Sequence, residues 1–164
     1  MDAAEAEALR EQLGTGRDRL ALDLGCGAGE LTRSLVRLGY RTTGIDCAPS
    51  AVATARATNP DLEIQLFDFE AGDLSQLPHS AFAAITCRLV YRWIDDKPAF
   101  LSRIRGLLAP GGTLWVVTSV HDPAQGPPGL WDTPAADIEL LTTGWSSAHV
   151  SKLDPSFHCY ALRP

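Results

Sequence analysis

The 164-residue sequence predicts an α/β fold, doubly wound, with a mostly parallel sheet and helices on both faces. Three observations carry that expectation. Apolar runs of strand length, such as Leu20 to Leu24 and Thr113 to Val120, alternate with segments whose apolar residues recur at helical spacing. Those runs are apolar on both faces, as strands are when helices cover a sheet from both sides. A loop with glycine at 25, 27 and 29 joins the first strand to the helix behind it.

The elements follow in order. Residues 2 to 13 mix Ala and Leu with Glu and Arg, all good helix formers, and Gly14 with Gly16 stops them. After the strand at Leu20 to Leu24, Glu30 to Leu38 places Leu31, Leu35 and Leu38 on one helical face before Gly39. Arg41 to Asp46 reads as the second strand, and Pro49 to Thr58, with proline at its start and Asn59-Pro60 at its end, as the next helix. Glu63 to Phe69 alternates as a third strand; Asp73 to Ser80 is a loop or short helical turn, and Ala81 to Leu89 a fourth strand. Asp95 to Leu108 aligns Phe100, Leu101, Ile104, Leu107 and Leu108 on one helical face. Ala109-Pro110-Gly111-Gly112 then turns the chain into the strand Thr113 to Val120. His121 to Pro134, rich in Pro and Gly, reads as a long loop, followed by a helix over Ala135 to Thr143. Two short strands near Ser146 to Leu153 and Phe157 to Leu162, with Asp154-Pro155-Ser156 between them, form a closing antiparallel hairpin.

The length suits one domain, so residues 1 to 164 are expected to form a single unit with a short N-terminal helix. A formal charge of −6 repels phosphate backbones and anionic lipid surfaces, which disfavours nucleic acid and membranes as partners. The four cysteines, Cys26, Cys47, Cys87 and Cys159, form no CxxC pair and give no metal or redox motif, so no metal is expected. The acidic start lacks a signal-peptide pattern, and no apolar run approaches the ~18 residues of a membrane span, so a cytoplasmic protein is expected.

A glycine loop opening a helix lets backbone approach a ligand, and the spacing says which ligand. Dinucleotide sites use GxGxxG, whereas Gly25, Gly27 and Gly29 are spaced GxGxG. Glu30 would also set a carboxylate where a pyrophosphate is held. Asp46 ends the second strand, 23 residues after Asp23, near the ~20-residue separation at which a carboxylate reaches ribose hydroxyls. Asp68-Phe69 offers an acceptor for an adenine amino group beside an aromatic wall.

LDLGCGAG, GIDCAPSAV, FDFE and LLAPGGTLWVV, in this order between about residues 20 and 120, resemble the class I S-adenosylmethionine-dependent methyltransferases. The resemblance implies a Rossmann-like sheet of seven strands with an antiparallel terminal strand. It implies S-adenosylmethionine as cofactor and S-adenosylhomocysteine as product. It places Asp23, Gly25, Cys26, Gly27 and Gly29 at the methionine end of the cofactor, Asp46 on the ribose and Cys47 against adenine. Asp68 and Phe69 fall after the third strand, and Cys87 and Arg88 near the methionine amino group.

Acceptors in open α/β sheets lie beyond the carboxyl ends of the strands. The segments there, CRLVYRWIDD and HDPAQGPPGLW, supply Arg88, Tyr91, Arg92, Trp93, His121 and Trp131 as candidates to frame an acceptor. Tyr91 and Trp93 serve equally well as packing against the next helix, and Arg92 as a surface charge. His121, Tyr91 and His158 are the candidate catalytic groups; His79 sits at the wrong edge of the sheet and His149 inside a terminal strand. A sulfonium methyl is already activated, so a general base is optional. The expected function is methyl transfer to a small natural-product or metabolic intermediate by a monomer or homodimer. The competing expectations are a regulatory protein that binds S-adenosylmethionine without transferring methyl, or a methyltransferase acting on RNA or protein; a patch of Arg88, Arg92 and Lys97 keeps an RNA or anionic acceptor open. Fewer than twenty residues precede Leu20, so the pocket is open, completed by a partner subunit, or covered by the loop from His121 to Pro134.

Overall fold

The computed structural model describes residues 1–121, 124 and 129–164. The element order is α1 (Ala3–Leu13), β1 (Leu20–Leu24), α2 (Glu30–Arg37), β2 (Arg41–Asp46), α3 (Pro49–Thr58), β3 (Glu63–Leu66), β4 (Phe82–Arg88), α4 (Lys97–Leu107), β5 (Leu108–Ser119), α5 (Ala135–Thr142), β6 (Ser147–Lys152) and β7 (Phe157–Arg163). Short 3₁₀ turns lie at Leu74–Gln76 and Tyr91–Trp93. The strands form one seven-stranded sheet in the order β3-β2-β1-β4-β5-β7-β6. β1 to β5 pair in parallel, and β7 runs antiparallel between β5 and β6. The expected doubly wound, seven-stranded fold is therefore present. In this order β1 and β4 are neighbours while the chain leaves β1 toward β2, so the sheet has its switch point at the carboxyl end of β1, where a ligand crevice opens.

Alternation along the strands divides the core between two faces. Leu22, Leu24, Ile85, Cys87, Leu114, Val116, Tyr160 and Leu162 pack with α4 and α5 residues such as Phe100, Ile104 and Leu141. Ala21, Ala84, Trp115, Val117 and Cys159 face Leu9 and Leu13 of α1 and Leu31 and Leu35 of α2. Capping residues fix the helix starts: Asp2 Oδ1 accepts the Glu5 N–H and Asp96 Oδ1 the Ala99 N–H. Pro49 begins α3, where its missing N–H costs nothing.

Two strands differ from the sequence expectation. β5 begins at Leu108 rather than Thr113, because Ala109 to Gly112 bulges within the strand: Phe82 pairs with Leu108 and Ala84 with Thr113. β3 stops at Leu66 rather than Phe69, and the chain beyond it bends over the end of β2, where the Phe67 N–H donates to the Asp46 carbonyl at 3.0 Å. That bend carries Asp68 and Phe69 out of the sheet and toward the crevice. Residues 122, 123 and 125–128 lie outside the described residues, and so does the expectation that the loop from His121 to Pro134 covers the pocket.

Candidate active site

The crevice at the switch point is a cavity of about 210 Å³ lined by the ends of β1, β2 and β3 and by the segment after β4. Leu24, Ile45, Phe67, Phe69, Val90, Ile94 and Phe100 make its apolar wall, and Asp46, Asp68 and Glu70 carry its charge. No basic residue is among the described residues lining it. Such a lining suits a flat apolar base and hydroxyl donors and repels a pyrophosphate.

Gly25 enters the loop at φ +65°, and a Cβ there would stand 2.2 Å from Val90 Cγ2. Glycine thus lets the chain after β4 close against the loop. Asp46 then ties the loop to β2: its Oδ2 accepts the Gly27 N–H and its Oδ1 the Ala48 N–H, both at 2.9 Å. A carboxylate has about four acceptor sites, so Asp46 keeps capacity for ligand hydroxyls. Cys47 is exposed on the same wall. Asp68 is exposed and its Oδ1 accepts the N–H groups of Glu70 and Ala71, which holds the turn. Phe69 is buried edge-on against Phe100, with ring centroids 5.4 Å apart. Glu70 Oε1 accepts the N–H groups of Asp95 and Asp96 and so joins this turn to the segment leading into α4.

Several residues expected at the cofactor face elsewhere. Asp23 is buried on the opposite side of β1, accepting hydroxyl protons from Thr32 and Thr86. Burial pushes its carboxyl from 3.8 up to about 6, against the opposing pull of those two hydroxyls. The Cys26 side chain packs with Val52, Ala55 and Ile64 beneath α3, while its N–H donates to the Ile45 carbonyl. Cys87 lies in the core, and burial raises its thiol, like that of Cys26, to about 12. Gly29 is the left-handed cap of α2, at φ +83°. Arg88 is captured by α1: its Nε and Nη2 donate to the two carboxylate oxygens of buried Glu5, the latter at 3.1 Å. It lines a separate cavity of about 190 Å³ with Asp2, Asp154 and Phe157.

A third cavity, about 290 Å³, is lined by Leu89, Arg92, Trp93, Thr118, Ser119, Trp131 and Phe157. Trp93 also lines the first cavity and stands between the two. It meets Trp131 edge-on at 5.4 Å, and both indoles are largely exposed. Arg92 lies over the Trp93 ring and donates its Nε to the Leu130 carbonyl at 3.1 Å. Tyr91, by contrast, takes its packing role: it is fully buried and its hydroxyl donates to the Asp137 carbonyl, which removes it from the acceptor wall. Lys97 pairs with Asp137 and Arg88 with Glu5, so the basic side chains do not form the free patch considered for RNA.

His121 follows β5, with Nδ1 3.6 Å from Asp132 Oδ2, the residue after Trp131, and is not itself among the residues lining the first or third cavity. His158 pairs with Thr118 across the sheet and is not among the residues lining either cavity. Burial, with Lys152 nearby, lowers its pKa. His79 packs edge-on to Phe82 at the opposite end of β4, and His149 lies on the edge strand β6. The sequence reading missed Glu5, Thr32, Thr86, Leu89, Asp132 and Phe157, each of which meets its partner through the tertiary fold.

A family model described as a methyltransferase domain matches residues 22–116, more than half of the chain. The chain belongs to the class I S-adenosylmethionine-dependent methyltransferases. A ubiquinone biosynthesis O-methyltransferase of Xanthomonas campestris pv. campestris (strain B100) is 36% identical over 106 residues, 63% of this chain and 44% of that protein. The match thus spans less than half of that relative's length. An S-adenosylmethionine-dependent methyltransferase from Mesorhizobium loti superposes with a TM-score of 0.78 at 21% identity, covering 99% of this chain and 98% of the other. A DhpI–SAH complex superposes at 0.75 and 26% identity, covering 99% and 84%. Like other methyltransferases of this class, the chain pairs β7 antiparallel between β5 and β6. Among its described residues no helix is long and apolar enough to cross a membrane.

Proposed function

We propose that this chain transfers the methyl group of S-adenosylmethionine to a small-molecule acceptor and leaves S-adenosylhomocysteine. The observation that carries the reading is the lining of the first cavity: apolar walls and, among the described residues, three carboxylates and no basic side chain at the switch point of the sheet. That chemistry fits an adenosine bearing a cationic sulfonium and opposes a phosphate-linked dinucleotide. The donor supplies an activated methyl on a positively charged sulfur.

The chain's own residues supply the rest. Asp46 accepts the ribose hydroxyls while it holds Gly27, and Phe69 with Ile94 and Phe100 encloses the base. Trp93 lines both cavities, so donor and acceptor meet beside its indole, and the third cavity, walled by Trp93, Trp131 and Phe157, receives the acceptor. His121, steadied by Asp132, takes the proton that a hydroxyl or ammonium acceptor releases. The O-methyltransferase relative supports a small oxygen acceptor. Incubation with methyl-labelled S-adenosylmethionine and a panel of small hydroxyl, amine and thiol acceptors tests this reading. Labelled small-molecule product supports it; cofactor binding with no labelled product across the panel refutes it.

A further inference from the structure

The two cavities that meet at Trp93 carry opposite charge. Asp46, Asp68 and Glu70 line the first, whereas Arg92 is the only charged side chain among the described residues lining the third. Arg88 and Lys97, the other cations of this segment, are spent on Glu5 and Asp137, but no ion pair among the described residues includes Arg92. Its Nε and Nη2 both donate to the Leu130 carbonyl, which holds the guanidinium over the Trp93 ring, 5.6 Å from the centroid. Nη1 has no hydrogen-bond partner among the described residues, so the edge formed by Nη1 and Nη2 keeps donors for a ligand.

The rest of the wall is apolar and largely aromatic. Trp93 and Trp131 meet edge-on there, and Phe157 and Leu89 complete it. Leu89 sits at φ +61°, in the left-handed region that disfavours a leucine, and its side chain lines both this cavity and the one beside Glu5 and Arg88. A glycine would make that turn freely, whereas the leucine adds apolar surface to the wall at the cost of strain. The wall's hydroxyls are already engaged, Thr118 with Thr133 at 2.7 Å and Ser119 with the Trp131 carbonyl. What remains for an acceptor is ring surface and one guanidinium edge. Such an edge matches a carboxylate in its own plane through two parallel N–H···O bonds. A single cation suits one small anionic group, and a cationic acceptor would meet like charge on both Arg92 and the donor sulfonium.

We propose that the acceptor is a small aromatic acid, its ring held against Trp93, Trp131 and Phe157 and its carboxylate taken by the open edge of Arg92. The ring supplies most of the contact, and the carboxylate supplies the selection against neutral and cationic rings of the same shape. The proposal rests on the reading of the third cavity as the acceptor site. Arg92 also ties Leu130, and with it the neighbouring Trp131, to the segment after β4, so its anchoring role and its binding role need separate readouts.

Calorimetric titration of the whole chain, saturated with S-adenosylhomocysteine, with a hydroxynaphthoate and with the hydroxynaphthamide of the same substitution tests the proposal. The acid and the amide share ring, hydroxyl and shape and differ in charge. The unaltered chain should bind the acid on the order of tenfold more tightly, the effect of a charged hydrogen-bonded pair that water partly screens. Arg92→Gln should bring the ratio of the two affinities close to one, and Trp131→Leu should weaken both probes while keeping the ratio. A merely anchoring role for Arg92 would weaken both probes in proportion in Arg92→Gln, and that result overturns the proposal. So does equal affinity for the two probes in the unaltered chain, or binding of neither. If Arg92→Gln fails to fold, Arg92→Lys decides: it keeps the charge without the planar fork, so a lowered ratio supports the proposal and an unmoved one overturns it. The reading as a methyltransferase fails separately, in the labelled-methyl assay. Labelled product from neutral acceptors, with no preference for the acid, would leave that reading standing and overturn this one.

Discussion

Replacing Asp46 with alanine should damage both the fold and the site, by separable amounts. Its carboxylate accepts the N–H groups of Gly27 and Ala48, each at 2.9 Å, and so fastens the glycine loop and the start of α3 to the end of β2. A buried hydrogen bond to a charged group contributes about 1.5 to 3 kcal/mol, but Asp46 is half-buried and water can replace part of what is lost. The expected loss of stability is about 2 kcal/mol, or about 4 to 8 °C in Tm for a chain of this length. Loss of the acceptor for two ribose hydroxyls should weaken S-adenosylhomocysteine by a further 1.5 to 3 kcal/mol, about 10-fold to 150-fold in Kd. Thermal unfolding without ligand and titration calorimetry with it measure the two effects separately. Unchanged affinity would refute the ribose assignment. Unchanged Tm would refute the role of Asp46 as the fastening of the loop.

Three other substitutions test neighbouring steps. The Asp23 carboxyl titrates at about 6 in the folded chain against 3.8 in the unfolded one, so the folded state holds the proton more tightly and loses about 3 kcal/mol of stability as pH rises from below 4 to above 6. Asp23→Asn should remove that loss, narrowing or reversing its stability deficit at pH 7 relative to pH 4 in chemical denaturation; an identical pH dependence in both proteins would contradict the assignment. Gly25→Ala should cost about 1 to 2 kcal/mol for the left-handed backbone, plus the collision with Val90, and weaken S-adenosylhomocysteine. Adding Val90→Ala should restore part of the stability, and no restoration would mean that the close approach is unimportant. His121→Ala should lower turnover of a hydroxyl acceptor by about 10² to 10⁴ while sparing cofactor affinity, and equal turnover would remove it as the base.

Much of the fold was legible because its signals are local. Leu31, Leu35 and Leu38 announce α2, Pro49 the start of α3, and Gly25 to Gly29 the turn between β1 and α2. The sequence errors fall where pairing decides. Ala109 to Gly112 carries turn residues yet bulges inside β5, since β4 reaches far enough to pair with Leu108. Phe67 to Phe69 alternates like a strand but leaves the sheet, having only the end of β2 to follow.

The acidic residues divide along the same line. Sequence alone determined that a carboxylate closes β2 near the glycine loop, because strand length and loop spacing place Asp46 there whatever the rest of the chain does. It also determined an excess of negative charge and a glycine spacing that disfavours a pyrophosphate. Only the tertiary structure decided that Asp46 faces the crevice while Asp23 faces inward, that Arg88 is spent on Glu5 and that Tyr91 lies in the core. Those outcomes depend on partners 9 to 83 residues away, brought together by the order of strands in the sheet. A side chain's residue type sets what it can bind, but the strand beside it sets what it meets.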